Sequence, residues 1–265
     1  ANVLGKLEDY LQTEWPELDV YLTSVTDHFA TASICGPNSK KILNKLIPEL
    51  DLSDENFPHM SFKEARIGKI ECRVMRISFT GEHSYEINVQ ANYGESLWEQ
   101  CMEAGKEFNI TPYGTETMHL LRAEKGFIIV GQDTDGTMTP IDLQMDWIVS
   151  KKKYDFIGKR SLYRSDTIRE DRKQLVGLLT ENPKEVLEEG AQIVLDLNRK
   201  PVEMLGHVTS SYYSPNLKKS IALAVVRGGK KMMGQKLLIP MEDRTINVTI
   251  VDPVFLDKEN KRLNA

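Results

Sequence analysis

The chain contains few cysteines and lacks several motifs that identify common catalytic or binding sites. The three cysteines, Cys35, Cys72 and Cys101, are far apart in 265 residues. An odd number of widely spaced cysteines predicts reduced, packed thiols rather than a disulfide framework or a zinc site. The five histidines show no HExxH spacing. Neither GxGxxG nor GxxxxGK[ST] occurs, so no dinucleotide or nucleoside triphosphate site is predicted.

Long hydrophobic runs are also absent. No apolar run approaches the roughly 20 residues that a transmembrane helix needs, and nothing at the amino end resembles a signal peptide. The net charge of -5 and the pI near 5.7 give no broad attraction to nucleic acid or to anionic membrane. We therefore expect a cytoplasmic protein with neither nucleic acid nor membrane as a partner.

The pattern along the chain predicts two domains. Residues 1–165 alternate helices with strands joined mostly by hairpins, which is typical of an α+β domain. Residues 173–265 hold six short strands separated by turn signals, which predict a small antiparallel β-barrel. The polar segment 164–172 is predicted to be a linker. In the first domain we predict helices at 4–15, 37–46 and 94–108, strands at 20–25 and 29–34, and a hairpin within 65–89.

The most informative block is 113–162, which places a carboxylate on the apolar face of a short helix. Glu124 falls four residues after Leu120 and three after Leu121, so it projects on their side. It also precedes Gly126, a predicted helix C-cap, where the helix dipole disfavours negative charge. A predicted strand, an acidic turn and three lysines follow. A carboxylate in this position needs either a structural cation or a ligand.

Less specific interpretations of these acidic residues remain open. Glu124 could be partly exposed, or could bond to Arg122, Lys125 or backbone amides. Asp133 and Asp135 lack the third acidic position and the distal glutamate of a calcium-binding loop, so we predict that they cap a turn or the Thr-Pro entry that follows.

Four segments of the chain resemble one known family, the aminomethyltransferase (glycine-cleavage T-protein) family. Within it, the chain is most similar to the branch formed by the C-terminal parts of the alpha subunits of heterotetrameric sarcosine oxidases. The matching segments occur in the family's order and read TASICGPNSKKIL (31–43), RISFTGEHSYEINV (76–89), RAEKGF with VGQDTD and MTP (122–140), and LGHVTSSYYSPNLKKSIALAVV (205–226).

The resemblance implies a tetrahydrofolate site. In the family the glutamate at the position of Glu124 binds folate, whose pterin ring offers an N–H and an amino group side by side to the two carboxylate oxygens. A family tyrosine that packs against the pterin corresponds to Val130, which retains only apolar contact. A basic residue, commonly arginine, corresponds to Lys153, which keeps the charge but not the planar fork. For the run Lys151 to Lys153 a solvated loop is the alternative.

The same resemblance implies a role in a larger enzyme. The chain would capture the one-carbon unit from the oxidative demethylation of sarcosine as 5,10-methylenetetrahydrofolate, with the other sarcosine oxidase subunits as partners. NAD and flavin would lie on other segments or subunits. The family's catalytic aspartate lies upstream of the matched region, so no catalytic residue is assigned and the chain alone is expected to be inactive. The alternatives are a free-standing folate-dependent aminomethyltransferase or methyltransferase, and a non-catalytic interaction domain of the same fold.

Overall fold

The computed structural model describes all residues from 1 to 265 and divides them into two compact units. One unit contains Ala1–Ser78, Glu82–Thr111 and Asn264–Ala265, and the other contains Phe79–Gly81 and Pro112–Leu263. None of the helices is both long and apolar enough to span a bilayer. The two units are described separately below.

The first unit is built on a four-stranded antiparallel sheet with the strand order β1-β4-β3-β2. Its strands are β1 (Phe29–Cys35), β2 (Ser61–Ile67), β3 (Ile70–Arg76) and β4 (Ser84–Gln90), and its helices are α1 (Asn2–Thr13), α2 (Ser39–Leu46) and α3 (Gly94–Gly105). Strands β2 and β3 form a hairpin in which Ile67 pairs with Ile70. The two-residue turn begins at Gly68 with φ +58°, a conformation that primed turns require at their first central position.

Alternating side chains place the core of this unit on one face of the sheet. Cys72 and Val74 on β3 and Ile87 and Val89 on β4 are buried, and they pack in one cluster with apolar residues of α2 and α3, including Leu43. Helix α1, in contrast, has no buried residue. No disulfide joins the cysteines, and burial raises the pKa of Cys72 and Cys101 to about 11, so these two thiols act as packing groups.

The second unit combines one helix with a closed antiparallel barrel in the order β10-β5-β8-β7-β6-β9. Its elements are α4 (Thr115–Glu124), β5 (Lys173–Thr180), β6 (Gln192–Val194), β7 (Met204–Ser214), β8 (Lys219–Arg227), β9 (Lys236–Pro240) and β10 (Thr245–Val251). Strand β8 is apolar on both faces: Ala222 and Ala224 belong to the barrel interior, whereas Ile221 and Leu223 cluster with Ala123 of α4. This second cluster seats α4 on the outside of the barrel.

The predicted fold class, an α+β domain followed by a small antiparallel barrel, is confirmed, and all six barrel strands are present. Two predicted strands are wrong. Residues 20–25 form no strand, and no neighbouring strand pairs with them. The composition of this segment favours a strand, but Tyr21 is 89% exposed and the segment joins no sheet. The segment after Glu124 is turn and loop rather than strand, because it bends at once to bring Asp133 back to α4. The domain boundaries at 165 and 173 stay a prediction.

A buried histidine occupies the first unit between α2 and the sheet. His83 is 2% exposed, and Ser39 Oγ lies 3.0 Å from both its Nδ1 and its carbonyl oxygen. Because the carbonyl can only accept, the Ser39 hydroxyl donates its proton to it. The other contact is then a hydrogen bond that His83 Nδ1 donates to Ser39 Oγ, which requires the imidazole proton on Nδ1. Burial, reinforced by the charges of Arg76 and Lys40, lowers the pKa of His83 to about 4.

This shift predicts a loss of stability in mild acid. The unfolded chain takes up the proton near the ordinary pKa of 6.5 and the folded chain only near 4, so stability falls as pH drops through that window, by roughly 3 kcal/mol in total. We expect His83→Gln to flatten this dependence, measured as the free energy of unfolding in urea across the window. An unchanged pH dependence in the variant would show that other groups cause it.

Candidate functional site

Glu124 is the last residue of α4, and the helix ends there by a complete Schellman motif. Phe127 N–H donates to the carbonyl of Arg122 at 2.9 Å, and Gly126 N–H donates to that of Ala123 at 3.0 Å. Gly126 has φ +73°, and a side chain there would lie 2.7 Å from the Pro253 carbonyl oxygen. Only glycine therefore fits this helix end, and the predicted C-cap position of Gly126 is confirmed to within one residue.

The Glu124 carboxylate is buried and bound by two neutral side chains. The residue is 1% exposed. Ser214 Oγ donates to Oε1 at 2.5 Å, and Asn216 Nδ2 donates to Oε2 at 2.9 Å. Both donors follow from β7, since Ser214 is its last residue and Asn216 lies in the turn before β8. A buried carboxylate thus has a hydrogen bond at each oxygen.

The cations next to Glu124 in the sequence do not pair with it. Arg122 is fully buried and forms an ion pair with Asp133, while Lys125 forms one with Asp257 at 3.0 Å. Glu124 itself forms no ion pair, and it is not exposed. The interpretations in which Glu124 is partly exposed or bonds to Arg122, Lys125 or backbone amides are therefore wrong.

The Arg122–Asp133 pair is completed by the barrel. Arg122 Nη2 donates to Ser210 Oγ at 2.7 Å, and Asp133 Oδ1 accepts from Thr209 Oγ1 at 2.5 Å and from Ser210 Oγ at 2.7 Å. Consecutive strand residues normally face opposite sides. Here the register of β7 against β8 shifts between Val208 and Ser210, and this bulge lets two adjacent hydroxyls reach the same carboxylate.

The predicted turn-capping acids behave differently from one another. Asp135 Oδ1 accepts from Thr137 N at 2.7 Å and from Thr137 Oγ1 at 2.5 Å, and these bonds hold the pKa of Asp135 below its usual value. This is the predicted turn cap. Asp133 accepts one backbone N–H, from Ile129 at 2.9 Å, but its principal role is the ion pair with Arg122, which sequence reasoning missed.

Lys125 anchors the end of α4 to the C-terminal segment. Its Nζ donates to the Asp257 carbonyl at 2.5 Å and to the carboxylate at 3.0 Å. Burial alone would raise the pKa of Asp257, but the bond from Lys125 and the backbone N–H groups of Lys261 and Arg262 outweigh it and hold that pKa below its ordinary value. The carboxylate is therefore ionised at neutral pH and neutralises Lys125.

The other two predicted site residues lie on the surface. Val130 is 83% exposed in the turn after α4. Lys153 is exposed in a loop, with its main-chain N–H donating to Ser150 Oγ at 3.3 Å. No hydrogen bond or ion pair joins Lys153 to Glu124. The solvated-loop alternative for Lys151 to Lys153 describes their positions in this structure, and contact with a ligand stays a prediction.

The residues that hold Glu124 were missed although their segment was recognised. Ser214 and Asn216 both lie in the SPNL part of the 205–226 match. Their separation from Glu124 by about ninety residues leaves no local spacing that could reveal the contact. The available signal was helix geometry: residues one and two positions apart do not face each other, so Arg122 and Lys125 were poor partners for Glu124 and its donors had to come from elsewhere.

Comparison with known proteins identifies relatives over the whole chain. Residues 1–153 match the GCVT N-terminal domain, and residues 173–257 match the glycine cleavage T-protein C-terminal barrel domain. Sarcosine oxidase subunit alpha of Corynebacterium sp. (strain P-1) is 50% identical over 266 residues, which cover 99% of this chain and 27% of that protein. The corresponding protein of Rhizobium meliloti (strain 1021) is 40% identical over 270 residues, covering 100% and 27%.

A more distant relative covers a larger share of its own length. Aminomethyltransferase of Thermoanaerobacter sp. (strain X514) is 31% identical over 245 residues, which cover 92% of this chain and 64% of that protein. The chain thus spans about a quarter of the sarcosine oxidase relatives, at 27%, and nearly two thirds of the aminomethyltransferase.

A solved structure has the same fold. The crystal structure of the glycine cleavage system aminomethyltransferase T from Bartonella henselae matches with a TM-score of 0.72 at 21% identity, covering 87% of this chain and 60% of that one. The two domain matches, the homology to sarcosine oxidase alpha subunits and this likeness of fold agree, and the chain belongs to the glycine cleavage T-protein family.

Proposed function

We propose that this chain is the tetrahydrofolate-binding part of a sarcosine oxidase alpha subunit, in which Glu124 binds the pterin ring. The observation that carries the proposal is the Glu124 carboxylate, which is buried with no cation and with one neutral donor at each oxygen. A buried charge is costly unless hydrogen bonds or charges compensate it. Two side-by-side N–H donors of a ligand would add the compensation that the protein leaves out.

The free acceptor positions of the Glu124 carboxylate fit the donors of a pterin. An ionised carboxylate has about four lone-pair positions, of which Ser214 and Asn216 use one on each oxygen. One acceptor position on each oxygen remains for the adjacent N–H and amino groups of the ring. Because Glu124 is 1% exposed, side chains that cover the carboxylate have to move aside as the ring approaches.

The degree of similarity to the relatives favours the oxidase over the transferase. The sarcosine oxidase subunits are 50%, 48% and 40% identical over the whole chain, whereas the aminomethyltransferase of the Thermoanaerobacter strain is 31% identical. Bound tetrahydrofolate would supply the nucleophilic nitrogens that capture the one-carbon unit as 5,10-methylenetetrahydrofolate. The chain's own contribution would be to hold and orient the ring, which is catalysis by positioning. The partners would be the other oxidase subunits, and NAD and flavin would lie on other segments or subunits of the intact enzyme.

Replacement of Glu124 tests the proposal directly. Glu124→Gln removes one acceptor and sets an amide N–H against a ligand donor, so tetrahydrofolate binding should weaken by roughly 2 to 3 kcal/mol. The melting temperature without folate should change little. Ser214 can still donate to the remaining oxygen, and Asn216 can rotate its amide to accept from the new N–H group. Calorimetric titration and thermal unfolding of the same variant measure both quantities.

Asp133→Asn is the matched control, because Asp133 is a buried carboxylate in the same unit whose partner is a cation. Removing that charge leaves Arg122 buried without a counter-ion and should destabilise the fold by roughly 3 to 5 kcal/mol. If Glu124→Gln behaves like this control, losing stability while it keeps wild-type folate affinity, Glu124 is a structural residue and the proposed role fails.

Lys153 provides an independent prediction about the rest of the site. If its ammonium group lies near the ligand, Lys153→Gln should weaken tetrahydrofolate binding by roughly 0.2 to 1 kcal/mol, the range of exposed charge interactions, and the difference should shrink at high salt. Lys151→Gln is the control, with the same change of charge in the same loop. If the two variants bind tetrahydrofolate with equal affinity at low salt, Lys153 has no specific role in the site.

A further inference from the structure

The hydroxyl of Ser214 has a fixed direction. It lies 3.0 Å from the Leu217 N–H group and 2.5 Å from Glu124 Oε1. An N–H group can only donate, so Ser214 Oγ accepts from Leu217 and must send its one proton to the carboxylate. Ser214 is fully buried, which removes water as a competing partner. The hydroxyl is therefore held as a permanent donor to Glu124.

The orientation of Asn216 follows from the same reasoning. An ionised carboxylate only accepts, so Asn216 must present its amide nitrogen, 2.9 Å away, to Oε2. The turn between β7 and β8 supplies both donors from positions two residues apart, and its backbone is fixed by the Ser214–Leu217 bond. The two oxygens of one carboxylate are thus held by two separate side chains of one turn.

The backbone of Glu124 is fixed as well. Its carbonyl oxygen accepts from Phe255 N at 3.0 Å and from Leu256 N at 2.9 Å. With four hydrogen bonds to one residue at the end of a capped helix, neither the main chain nor the carboxylate of Glu124 is free to rotate. Groups held in this way can meet a ligand with little loss of conformational freedom.

A cation bound to the Glu124 carboxylate would act differently from Ser214 and Asn216. An arginine would take one lone pair on each oxygen in a parallel, bidentate pair and would neutralise the charge. Ser214 and Asn216 leave the charge in place and occupy a single position on each oxygen. The unused capacity of the carboxylate is one acceptor position per oxygen.

We propose that Ser214 and Asn216 are positioning residues that hold the Glu124 carboxylate so that its two remaining acceptor positions receive the paired N–H and 2-amino groups of the pterin ring. This inference rests on the proposed function of Glu124. It assigns ligand discrimination to the turn between β7 and β8, since that turn decides in which plane the carboxylate lies. A ring that lacks the 2-amino group leaves one of the two positions without a donor.

The test measures binding of two probes, tetrahydrofolate and its 2-desamino analogue, together with melting temperature. In the wild type the analogue should bind roughly tenfold more weakly, the factor that corresponds to a lost hydrogen bond of ordinary strength. In Ser214→Ala and in Asn216→Ala this ratio should fall toward one, because a carboxylate that rotates no longer distinguishes the two rings. Ser214→Thr, which keeps the hydroxyl, should restore it.

Ser211→Ala is the matched control on the same strand. Ser211 Oγ is also buried and accepts from Leu187 N at 3.0 Å, but it does not touch Glu124. Its removal should lower the melting temperature and leave the ratio between the two probes at the wild-type value. If Ser214→Ala and Asn216→Ala also keep that ratio, weakening both probes equally, their role is structural and the inference is overturned.

The two proposals can fail separately. If Glu124→Gln leaves tetrahydrofolate affinity unchanged, the proposed function fails and the positioning role fails with it. If Glu124→Gln weakens binding while the Ser214 and Asn216 variants keep the wild-type ratio, only the positioning role fails. If Ser214→Ala does not fold, Ser214→Thr and Ser214→Cys replace it, because they keep a side chain of similar size and differ in the strength of the hydrogen-bond donor. The ratio of the affinities for the two probes should then follow the strength of that donor. A ratio that does not depend on donor strength contradicts the inference.

Discussion

The buried ion pair between Arg122 and Asp133 is the constraint on which the second unit depends. It joins three pieces of chain that are distant in sequence: helix α4, the turn that follows it, and strand β7 of the barrel. Both side chains are fully buried, so each charge requires the other. Breaking the pair would leave a charge in the interior, which is a far larger penalty than the loss of one hydrogen bond.

The charges at the end of α4 are distributed among different partners for a geometrical reason. Residues one and two positions apart on a helix do not face each other, so Glu124 cannot pair with either Arg122 or Lys125. Each cation finds a carboxylate elsewhere in the unit, at Asp133 and at Asp257. Glu124 is left with neutral donors because both nearby cations are already neutralised. An unpaired buried carboxylate here is a consequence of helix geometry combined with the two ion pairs.

The sequence predicts the architecture well because the architecture depends on local patterns. Six strands with alternating or continuous apolar residues and clear turn signals predicted the barrel. Helical spacing predicted Glu124 on the side of Leu120 and Leu121; Glu124 is buried, whereas these two leucines are half-buried. Residues 20–25 have a β-forming composition but no neighbouring strand to pair with, and composition cannot reveal that. The bulge that brings Thr209 and Ser210 to Asp133, and the turn that brings Ser214 and Asn216 to Glu124, depend on tertiary register, which no local spacing encodes.

The position of Glu124 at a helix C-terminus is compatible with a negative charge because the carbonyl groups there are occupied. Unpaired carbonyls in the last turn give a helix its partial negative charge, which disfavours a carboxylate nearby. In α4 the carbonyl of Arg122 is bonded to Phe127 N, that of Ala123 to Gly126 N, and that of Glu124 to Phe255 N and Leu256 N. Residues 255 and 256, which follow the last barrel strand, therefore complete the end of α4. By donating to the helix end, they reduce the repulsion that a buried carboxylate meets there, at a residue that has no cation of its own.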